Sequence, residues 1–442
     1  MPGIAFVGLI IELPNAVADD NTPLHPPHPS PKLPASRREP KLMDLRFTPE
    51  EIAFREEVRT FIRENLPADI HAKMKLGHHP NKEDTVRWQR ILNAKGWAGL
   101  SWPKEWGGTG WTAIQKMIFL EENQVAPAPE LSSFNITMIG PVLIQFGTEE
   151  QKKRFLPRAA NIDDWWCQGF SEPGAGSDLA SLKTSAKLEG DHYVVNGQKI
   201  WTSTAHHADW CFLLVRTNPN ARKRQEGISF LLVDMKTPGI TVRPIISIDG
   251  SHHLNEVFFD DVKVPKDQLV HQENKGWDVA KFLLGNERTG IARLGKSKER
   301  VIASIDMAKQ VNANGRPLIE DPTFRQRVAQ LQVDMKALEI TQYRVVSAHD
   351  KAGGGRPDPL SSVLKVKGTE LLQATTELAI DVAGPMATPI WAQELAALNE
   401  SDDMLEASSA SVGSYLFLRA ASIYGGTNEI QKNILTKAVL GL

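Results

Sequence analysis

The sequence predicts an α+β protein of several domains, in which a helical segment, a β-rich segment and a second helical segment follow one another. Apolar residues recur at helical spacing in the first third of the folded part. Short runs rich in valine, isoleucine and phenylalanine, separated by glycine, proline and asparagine, occupy the middle. Long apolar stripes return beyond Gly276. At 442 residues the chain is long enough for two or three domains.

Composition excludes several classes of protein. Charged residues make up 24% and hydrophobic residues 41%, which is typical of a globular protein in water. The formal net charge of −2 gives no reason to expect nucleic acid or an anionic membrane as a partner. No apolar run approaches the ~20 residues of a membrane span. Two cysteines, Cys167 and Cys211, provide neither metal-ligand spacing nor a disulfide framework, so we expect a reducing, cytoplasmic location.

Residues 1–42 differ from the rest of the chain. A short apolar run at 4–11 is followed by a proline-rich tract at 23–31. A secretory signal peptide would have a basic stretch before the apolar run, and none is present. Residues 15–18 resemble a signal-peptide cleavage site, so secretion is kept as an alternative. We expect a disordered or non-native extension, translated from a start upstream of Met43.

The first helical segment is expected over residues 43–164. Thr48 and Glu51 form a capping-box pattern that predicts a helix start. Further helices are predicted over 84–95 and 112–124. The glycine-rich stretch 103–110 follows no convincing strand and lacks dinucleotide-binding spacing, so it predicts a tight turn.

The β-rich segment is expected over residues 165–275. Asn196-Gly197 lies between two β-rich runs and predicts a two-residue hairpin turn. Strands are also predicted near 210–215, 228–233, 240–243 and 256–259. Together they predict a small antiparallel sheet or barrel.

The last segment, residues 276–442, is predicted to be a helix bundle. One long helix is expected from 279 to 314, and others over 324–348, 360–383 and 428–439.

The stretch 168–203 carries the chemistry. Gly174 and Gly176 allow the left-handed conformation and close approach of a ligand to the backbone. Hydroxyls, a carboxylate and a large aromatic ring accompany them: Ser171, Ser177, Asp178, Trp201 and Ser203. Backbone donors, hydroxyls and an aromatic plate suit a planar cofactor with a phosphate tail.

This stretch resembles the flavin-binding signature of the acyl-CoA dehydrogenase family, and the resemblance extends over about residues 45–442. It implies the acyl-CoA dehydrogenase fold: an N-terminal α-helical domain, a middle antiparallel β-barrel domain and a C-terminal four-helix bundle, with FAD between the domains. It also implies cofactor contacts from Phe170, Ser171, Gly176, Ser177, Trp201, Ser203, Thr427 and Glu429. Phe170 and Ser171 would hold the flavin pyrimidine edge, and Trp201 would pack on the ring.

The resemblance implies oxidation of an acyl-CoA thioester to the trans-2-enoyl-CoA. A base removes the α proton, and flavin N5 accepts the hydride from the β carbon. Many members carry this base as a glutamate between a tyrosine and a glycine, where this chain has Gly425 after Tyr424. The Gly425 N–H can still donate to the thioester carbonyl.

Glu287 is the candidate replacement for that base. It lies on an expected helical stripe with Val279, Leu283, Ile291 and Leu294, where desolvation would raise the pKa of its carboxyl group. Isovaleryl- and long-chain-type members place their base at the matching position. An ion pair between Glu287 and Arg288 or Arg293 is the alternative interpretation.

Substrate contacts are expected from Ser177, Arg288 and Tyr424. The alternative interpretation of Arg288 is a charged side chain in solvent on a helix surface. Lys309 and Arg316 are candidates for the inter-subunit FAD contact that an arginine makes in relatives. His252-His253 has no third ligand at suitable spacing, so no metal is expected.

The stretches 286–293 and 424–431 are similar to bacterial members such as the pimeloyl-CoA dehydrogenase large subunit, which implies a role in fatty acid β-oxidation. The expected electron acceptor is electron-transfer flavoprotein or a similar protein. The chain is expected to form a homodimer or homotetramer, or a heteromer with a second dehydrogenase-like subunit. A flavin monooxygenase or oxidase of the same fold, and a non-catalytic FAD-binding subunit, are alternatives. Acyl chain length does not follow from the sequence.

Overall fold

A computed structural model describes residues 46–286, 290, 292–351, 359–387 and 403–441. Helices form the first part, a sheet forms the middle and a second set of helices forms the last part. The predicted fold class is confirmed. None of the described helices combines the length and the apolar character that a membrane crossing requires.

The first part is built from capped helices. Its elements are α1 (Pro49–Asn65), α2 (Ala68–Lys75), α3 (Lys82–Ala94), α4 (Ala113–Val125), a π-helical turn (Phe134–Ile139), α5 (Gly140–Phe146) and α6 (Glu149–Ala160). The predicted capping box is confirmed, because the Glu51 N–H donates to Thr48 Oγ1 at 3.2 Å and the Thr48 N–H donates to Glu51 Oε2 at 2.8 Å. Equivalent boxes start α3, α4 and α6.

The middle part is one sheet. Its strands are β1 (Trp166–Gly169), β2 (Ser185–Glu189), β3 (His192–Lys199), β4 (Trp210–Arg216), β5 (Ile228–Asp234), β6 (Ile240–Ile245), β7 (Leu254–Pro265) and β8 (Leu269–Val270). The order is β6-β7-β3-β2-β4-β5-β8, and β1 also pairs with β4. Neighbouring strands are antiparallel except where β4 meets β1 and β2. β4 and β5 are buried on both faces, which explains their continuous apolar sequences.

The predicted hairpin at Asn196-Gly197 is wrong. β3 runs through both residues, with a shift of register against β7 between Val195 and Gly197. The chain reverses earlier, between β2 and β3, where Gly190 has φ +66°. A Cβ on Gly197 would lie 2.6 Å from Thr184 Oγ1, so this glycine allows close packing of the backbone rather than a turn.

The last part is helical. It comprises α7 (Gly276–Asn286), α8 (Leu294–Ala308), a two-stranded hairpin of β9 (Asn312–Ala313) and β10 (Arg316–Pro317), α9 (Pro322–Lys351), α10 (Ser361–Ala383), α11 (Asp403–Leu418), α12 (Asn428–Leu435) and a π-helical turn (Thr436–Leu440). α10 packs against α8, α9, α11 and α12 and forms the centre of this bundle.

The single long helix predicted over 279–314 is also wrong. α7 ends at Asn286, and α8 begins only at Leu294. Arg293, the residue before α8, has φ +45°, a left-handed conformation that an α-helix does not pass through. Leu294 therefore does not continue the apolar stripe of Val279 and Leu283 by helical periodicity, contrary to the stripe expected for Glu287.

Candidate functional site

Two of the predicted cofactor-facing segments lie side by side. Phe170 and Ser171 follow β1, and Trp201 to Ser203 follow β3. The Ile200 N–H donates to the Ser171 carbonyl oxygen at 2.9 Å, and Lys199 Nζ donates to the Phe170 carbonyl oxygen at 3.1 Å. One backbone hydrogen bond and one hydrogen bond from the Lys199 side chain thus join the two segments.

A buried ion pair reinforces this junction. Lys199 Nζ lies 2.8 Å from Glu172 Oε1, and the two residues are 0% and 8% exposed. Glu172 also accepts hydrogen bonds from the N–H groups of Lys183 and Thr184, at 2.6 and 2.9 Å. Burial lowers the pKa of Lys199 to about 8, although the Glu172 charge opposes this shift. The paired charges fix the position of Ser171 relative to Trp201.

The exposure and the backbone conformation of Trp201 are unusual for a residue with so large an apolar side chain. Trp201 is 56% exposed, and its backbone has φ +60°, which strains a residue that has a Cβ. Strained residues persist where surrounding contacts hold them, and they concentrate at ligand sites. An open aromatic face beside Ser171 and Ser203, which are both partly exposed, is a surface for a planar ligand.

Asn255 holds the segment that carries Trp201. Its side chain is fully buried and its Nδ2 donates to the Thr202 carbonyl oxygen at 3.0 Å. The Thr202 N–H in turn donates to the Asn255 carbonyl oxygen at 3.0 Å. The same side chain bonds the rings of His206 and His252, at 3.1 and 2.8 Å. Asn255 is therefore a positioning residue that the sequence did not reveal.

The glycine-containing loop is open to solvent. Glu172 and Ala175 exchange two backbone hydrogen bonds of 3.0 Å, which close a tight turn. Neither Gly174 nor Gly176 has a positive φ, contrary to the left-handed geometry considered from the sequence. A Cβ on either would meet no atom within 4 Å, and Ser177 is exposed. The loop leaves room above it for an extended polar ligand.

The second part of the predicted site lies before α12. Gly425 and Gly426 have φ of +66° and +80°, conformations that favour glycine. Thr427 caps α12 by accepting from the Ile430 N–H at 3.2 Å, and Glu429 lies exposed in the first turn. Tyr424 is 44% exposed and interacts electrostatically with the Arg293 side chain. The Thr427 hydroxyl thus acts as the cap of α12.

Glu287 and Arg288 lie outside the described residues. The described helix that precedes them, α7, buries Val279 and Leu283 in the same core cluster as Phe170. α7 also packs against β5 and α5. Lys309 and Arg316 were the two candidates for an inter-subunit contact with FAD. Lys309 pairs with Asp306 at 2.7 Å, and Arg316 is the first residue of β10.

Several histidines form a cluster, of which only the pair His252-His253 was noted from the sequence. The rings of His206 and His252 stack with centroids 3.9 Å apart, and His79 lies 5.5 Å from His253. Burial lowers the pKa of His206 and of His79 to about 4. Within the described residues, no three His, Cys, Asp or Glu side chains are arranged to hold a metal ion.

Comparison with known proteins identifies the family. Family models for the acyl-CoA dehydrogenase N-terminal, middle and C-terminal domains match residues 48–163, 167–262 and 274–440. Acyl-CoA dehydrogenase IpdE1 of Mycobacterium tuberculosis is 38% identical over 397 residues, which cover 88% of this chain and 97% of that protein. The chain belongs to the acyl-CoA dehydrogenase family. Its homologues are oxidoreductases that act on acyl-CoA, and the cofactor of the family is FAD.

Solved structures agree with this assignment. The acyl-CoA dehydrogenase described as the Tcur3481-Tcur3483 steroid ACAD superposes with a TM-score of 0.77 at 28% identity, covering 90% of this chain and 99% of that one. The ChsE4-ChsE5 complex from Mycobacterium tuberculosis gives a TM-score of 0.75 at 31% identity, with the same coverage. Both comparisons extend over all three parts of the fold.

The residues present in this acyl-CoA dehydrogenase fit FAD. The flavin half has an exposed, strained Trp201 beside partly exposed hydroxyls, and the loop at Gly174 and Gly176 has free space above its backbone. A cleft of about 280 Å³, lined by Glu172, Pro173, Gly174, Ser181, Lys183, Thr184, Gly197 and Gln198, adjoins this loop. Glu172 and Lys199, like Asn255, were not predicted from the sequence. Glu172 follows Ser171 and Lys199 lies two residues before Trp201, but no local pattern shows that they pair.

Proposed function

We propose that this acyl-CoA dehydrogenase oxidises an acyl-CoA thioester to the trans-2-enoyl-CoA. FAD, when bound, supplies the two-electron acceptor whose N5 takes the hydride from the β carbon. The observation that carries the proposal is the pairing of a strained, exposed Trp201 with Ser171 across the Glu172–Lys199 ion pair. This arrangement provides a rigid face for a flavin ring.

The proposed base is Glu287, which would accept the α proton as the β hydride leaves. Gly425 has no side chain that could take this proton, and its N–H would donate to the thioester carbonyl instead. Support comes from the left-handed backbone of Gly425 and Gly426, which frees this segment from helical hydrogen bonding before α12 begins. Tyr424, Arg288 and Ser177 are the proposed substrate contacts, and Ser203, Gly176, Ser177, Thr427 and Glu429 complete the proposed cofactor contacts.

An anaerobic titration tests this function. The purified protein with its FAD is mixed with acyl-CoA thioesters of different chain lengths while flavin absorbance is followed. At least one thioester should bleach the flavin and yield the trans-2-enoyl-CoA in equal amount. Rapid oxygen consumption by the reduced protein would instead favour an oxidase or monooxygenase.

We further propose that the chain works with a second dehydrogenase-like subunit and passes electrons to an electron-transfer flavoprotein. Two of the similar structures are described as two-chain assemblies, ChsE4-ChsE5 and Tcur3481-Tcur3483. Large apolar side chains are exposed near the C-terminus of this chain, at Ile423, Ile430, Val439 and Leu440. Co-expression with a second dehydrogenase-like chain, followed by mass measurement of the native complex, tests the assembly. Turnover only when the second chain is present would favour a non-catalytic role for this chain.

The proposal includes a cytoplasmic location. Cys167 and Cys211 are register partners on β1 and β4, and both are free, buried thiols. Two adjacent thiols that remain reduced are typical of a reducing compartment. Cell fractionation with a labelled chain would test the location.

A further inference from the structure

Two buried hydrogen bonds fix α12 to α10. Lys365 Nζ donates to Asn428 Oδ1 at 2.8 Å, and Ser362 Oγ donates to Gln431 Oε1 at 2.8 Å. The four residues are between 0% and 6% exposed. Asn428 and Gln431 lie three residues apart, and therefore on one face of α12, the face that meets α10. The start of α12 is thus held at two neighbouring points.

The Gln431 side chain also contacts the two glycines that precede α12. Its Nε2 donates to the Gly425 carbonyl oxygen at 3.4 Å. A Cβ on Gly426 would lie 2.7 Å from the same Nε2, so the amide group packs directly against this backbone. Because the Ser362 hydroxyl donates to Oε1, Nε2 is the atom of Gln431 that faces the Gly425 carbonyl.

This contact restrains Gly425 while leaving its N–H group available. Within the described part of the chain, no group accepts a hydrogen bond from the Gly425 N–H. The N–H and the carbonyl of Gly425 flank one Cα, so a fixed carbonyl restricts the two backbone angles that aim the N–H. Glycine has more backbone freedom than any other residue, and a contact from outside the segment therefore restricts it most.

Lys365 is an unusual residue at this position. Its ammonium group lies against Asn428, the first residue of α12, although the start of a helix carries partial positive charge and favours acids. Burial of a charged group is also costly. Departures from local preference of this kind are expected at functional sites, where polar contacts specify orientation at some cost in stability.

Resting on the proposed function, in which the Gly425 N–H donates to the thioester carbonyl, we infer that Gln431 is a positioning residue for this donor. Lys365 and Ser362 hold α12 and orient Gln431, and Gln431 holds Gly425. The carbonyl oxygen gains negative charge as the α proton leaves, so a correctly aimed N–H stabilises the transition state more than the bound substrate. Loss of Gln431 should therefore lower kcat more than it weakens substrate binding.

Stopped-flow reduction of the FAD-loaded protein tests this inference. Gln431→Met keeps the length of the side chain but removes both of its hydrogen bonds. The rate constant of flavin reduction at saturating acyl-CoA should fall about 10-fold, less than the about 100- to 1,000-fold loss expected when an oxyanion donor is removed outright. The Kd of the thioester should change by less than about twofold. Ser362→Ala, which removes one hydroxyl group, gives the same test with a smaller change and should lie between wild type and Gln431→Met.

Gln373→Met is the matched control. Gln373 also lies on α10, and its Nε2 donates to the carbonyl oxygens of Leu418 and Arg419 at 3.0 and 3.3 Å, at the end of α11. The same substitution there removes an amide-to-carbonyl contact between two parts of the bundle without touching Gly425. Gln373→Met should reduce its flavin at the wild-type rate, even though both variants lose some stability.

Infrared spectroscopy gives a readout that does not need turnover. The probe is trans-2-octenoyl-CoA with a ¹³C label at the thioester carbonyl, bound to the oxidised protein. A well-aimed hydrogen bond weakens the carbonyl bond and lowers its stretching frequency. The frequency should be higher in Gln431→Met than in wild type, and Gln373→Met should match wild type.

Three results would overturn the inference. They are an unchanged reduction rate in Gln431→Met, an unchanged carbonyl frequency in that variant, and an equal loss of rate in Gln373→Met, which would assign the effect to the stability of the bundle. If no thioester reduces the flavin of the wild type, the proposed oxidation fails, while the carbonyl frequencies still decide whether Gln431 positions the donor.

Discussion

Lys199 and Glu172 form a buried ion pair of 2.8 Å that joins the two segments of the flavin half-site. Glu172 directly follows Ser171, and Lys199 lies two residues before Trp201. The pair therefore couples the folding of the sheet to the geometry of the cofactor face. Its hydrogen bonds to the backbone at Phe170, Lys183 and Thr184 leave little freedom for either segment.

Removal of one partner of the ion pair should affect both the stability of the fold and the binding of FAD. Lys199→Met leaves Glu172 as an unpaired buried charge, so we expect a loss of about 3–5 kcal/mol in the free energy of unfolding together with weaker FAD binding. Urea unfolding and the FAD content of the purified protein provide the measurements. Lys187→Met, in the exposed pair with Glu189, is the control and should change neither. Full FAD content in Lys199→Met would count against the proposed coupling.

The same pair predicts a pH dependence of stability. Burial alone would raise the pKa of Glu172, but the Lys199 charge and the hydrogen bonds from Lys199, Thr184 and Lys183 together lower it below the ordinary 4.5. Because the unfolded chain then binds a proton first as the pH falls, this stabilisation is complete above about pH 4.5 and is lost below it. In thermal unfolding from pH 7 down to about pH 3, the unfolding temperatures of wild type and Glu172→Gln should converge below about pH 4.5. A constant gap would contradict the assignment.

Trp201 should matter for FAD but little for the fold. Because more than half of its surface is exposed, Trp201→Ala should change the free energy of unfolding of the FAD-free protein by no more than about 0.5 kcal/mol. FAD affinity should fall about threefold to tenfold, since a stacked aromatic contact contributes on this scale. Flavin fluorescence on release reports the affinity. An unaltered affinity would show that the ring does not contact the flavin.

Asn255 should act through the backbone that it holds. Asn255→Ala leaves the Thr202 carbonyl without its side-chain donor and should cost about 1–3 kcal/mol in stability while also weakening FAD binding. Asn196→Ala is the matched control, because it removes side-chain hydrogen bonds to Asp261 at a partly exposed position of the same sheet. Only the Asn255 variant should lose FAD, as measured by absorbance after gel filtration; equal retention of FAD would rule out a positioning role.

Gly425 should tolerate no side chain without cost. Its φ of +66° makes Gly425→Ala unfavourable by about 1 kcal/mol, and any shift of its N–H should lower kcat. Gly413→Ala, within α11, would place its Cβ within 4 Å of no atom of the described residues and should instead be neutral or slightly stabilising. Stopped-flow reduction of the flavin separates the two effects. Equal kcat in wild type and Gly425→Ala would argue against the amide as donor.

The sequence predicted those features that depend on neighbours along the chain. The capping box at Thr48 and Glu51, the β-rich runs and the order of the three parts follow from local hydrogen bonding and periodicity. α11 escaped prediction because its serine- and alanine-rich sequence has no apolar stripe, and its helical form depends on packing against α10.

Local signals failed where distant contacts decide the structure. Asn196-Gly197 has the composition of a turn, yet pairing with β7 and close packing on Thr184 make it a bulge within β3. α8 begins directly after the left-handed backbone of Arg293, whose side chain pairs with Glu130 from a distant part of the chain. The ion pair of Glu172 with Lys199 joins residues 27 positions apart, beyond any local pattern.

Glu287 remains a proposal from sequence, and one experiment tests it most directly. Wild type and Glu287→Gln, both loaded with FAD, are titrated anaerobically with the same acyl-CoA, with Glu320→Gln at an exposed position as control. We expect all three to bind the thioester and only Glu287→Gln to fail to bleach the flavin. Normal bleaching in Glu287→Gln would show that another base takes the α proton, and Glu287 would then not be the base.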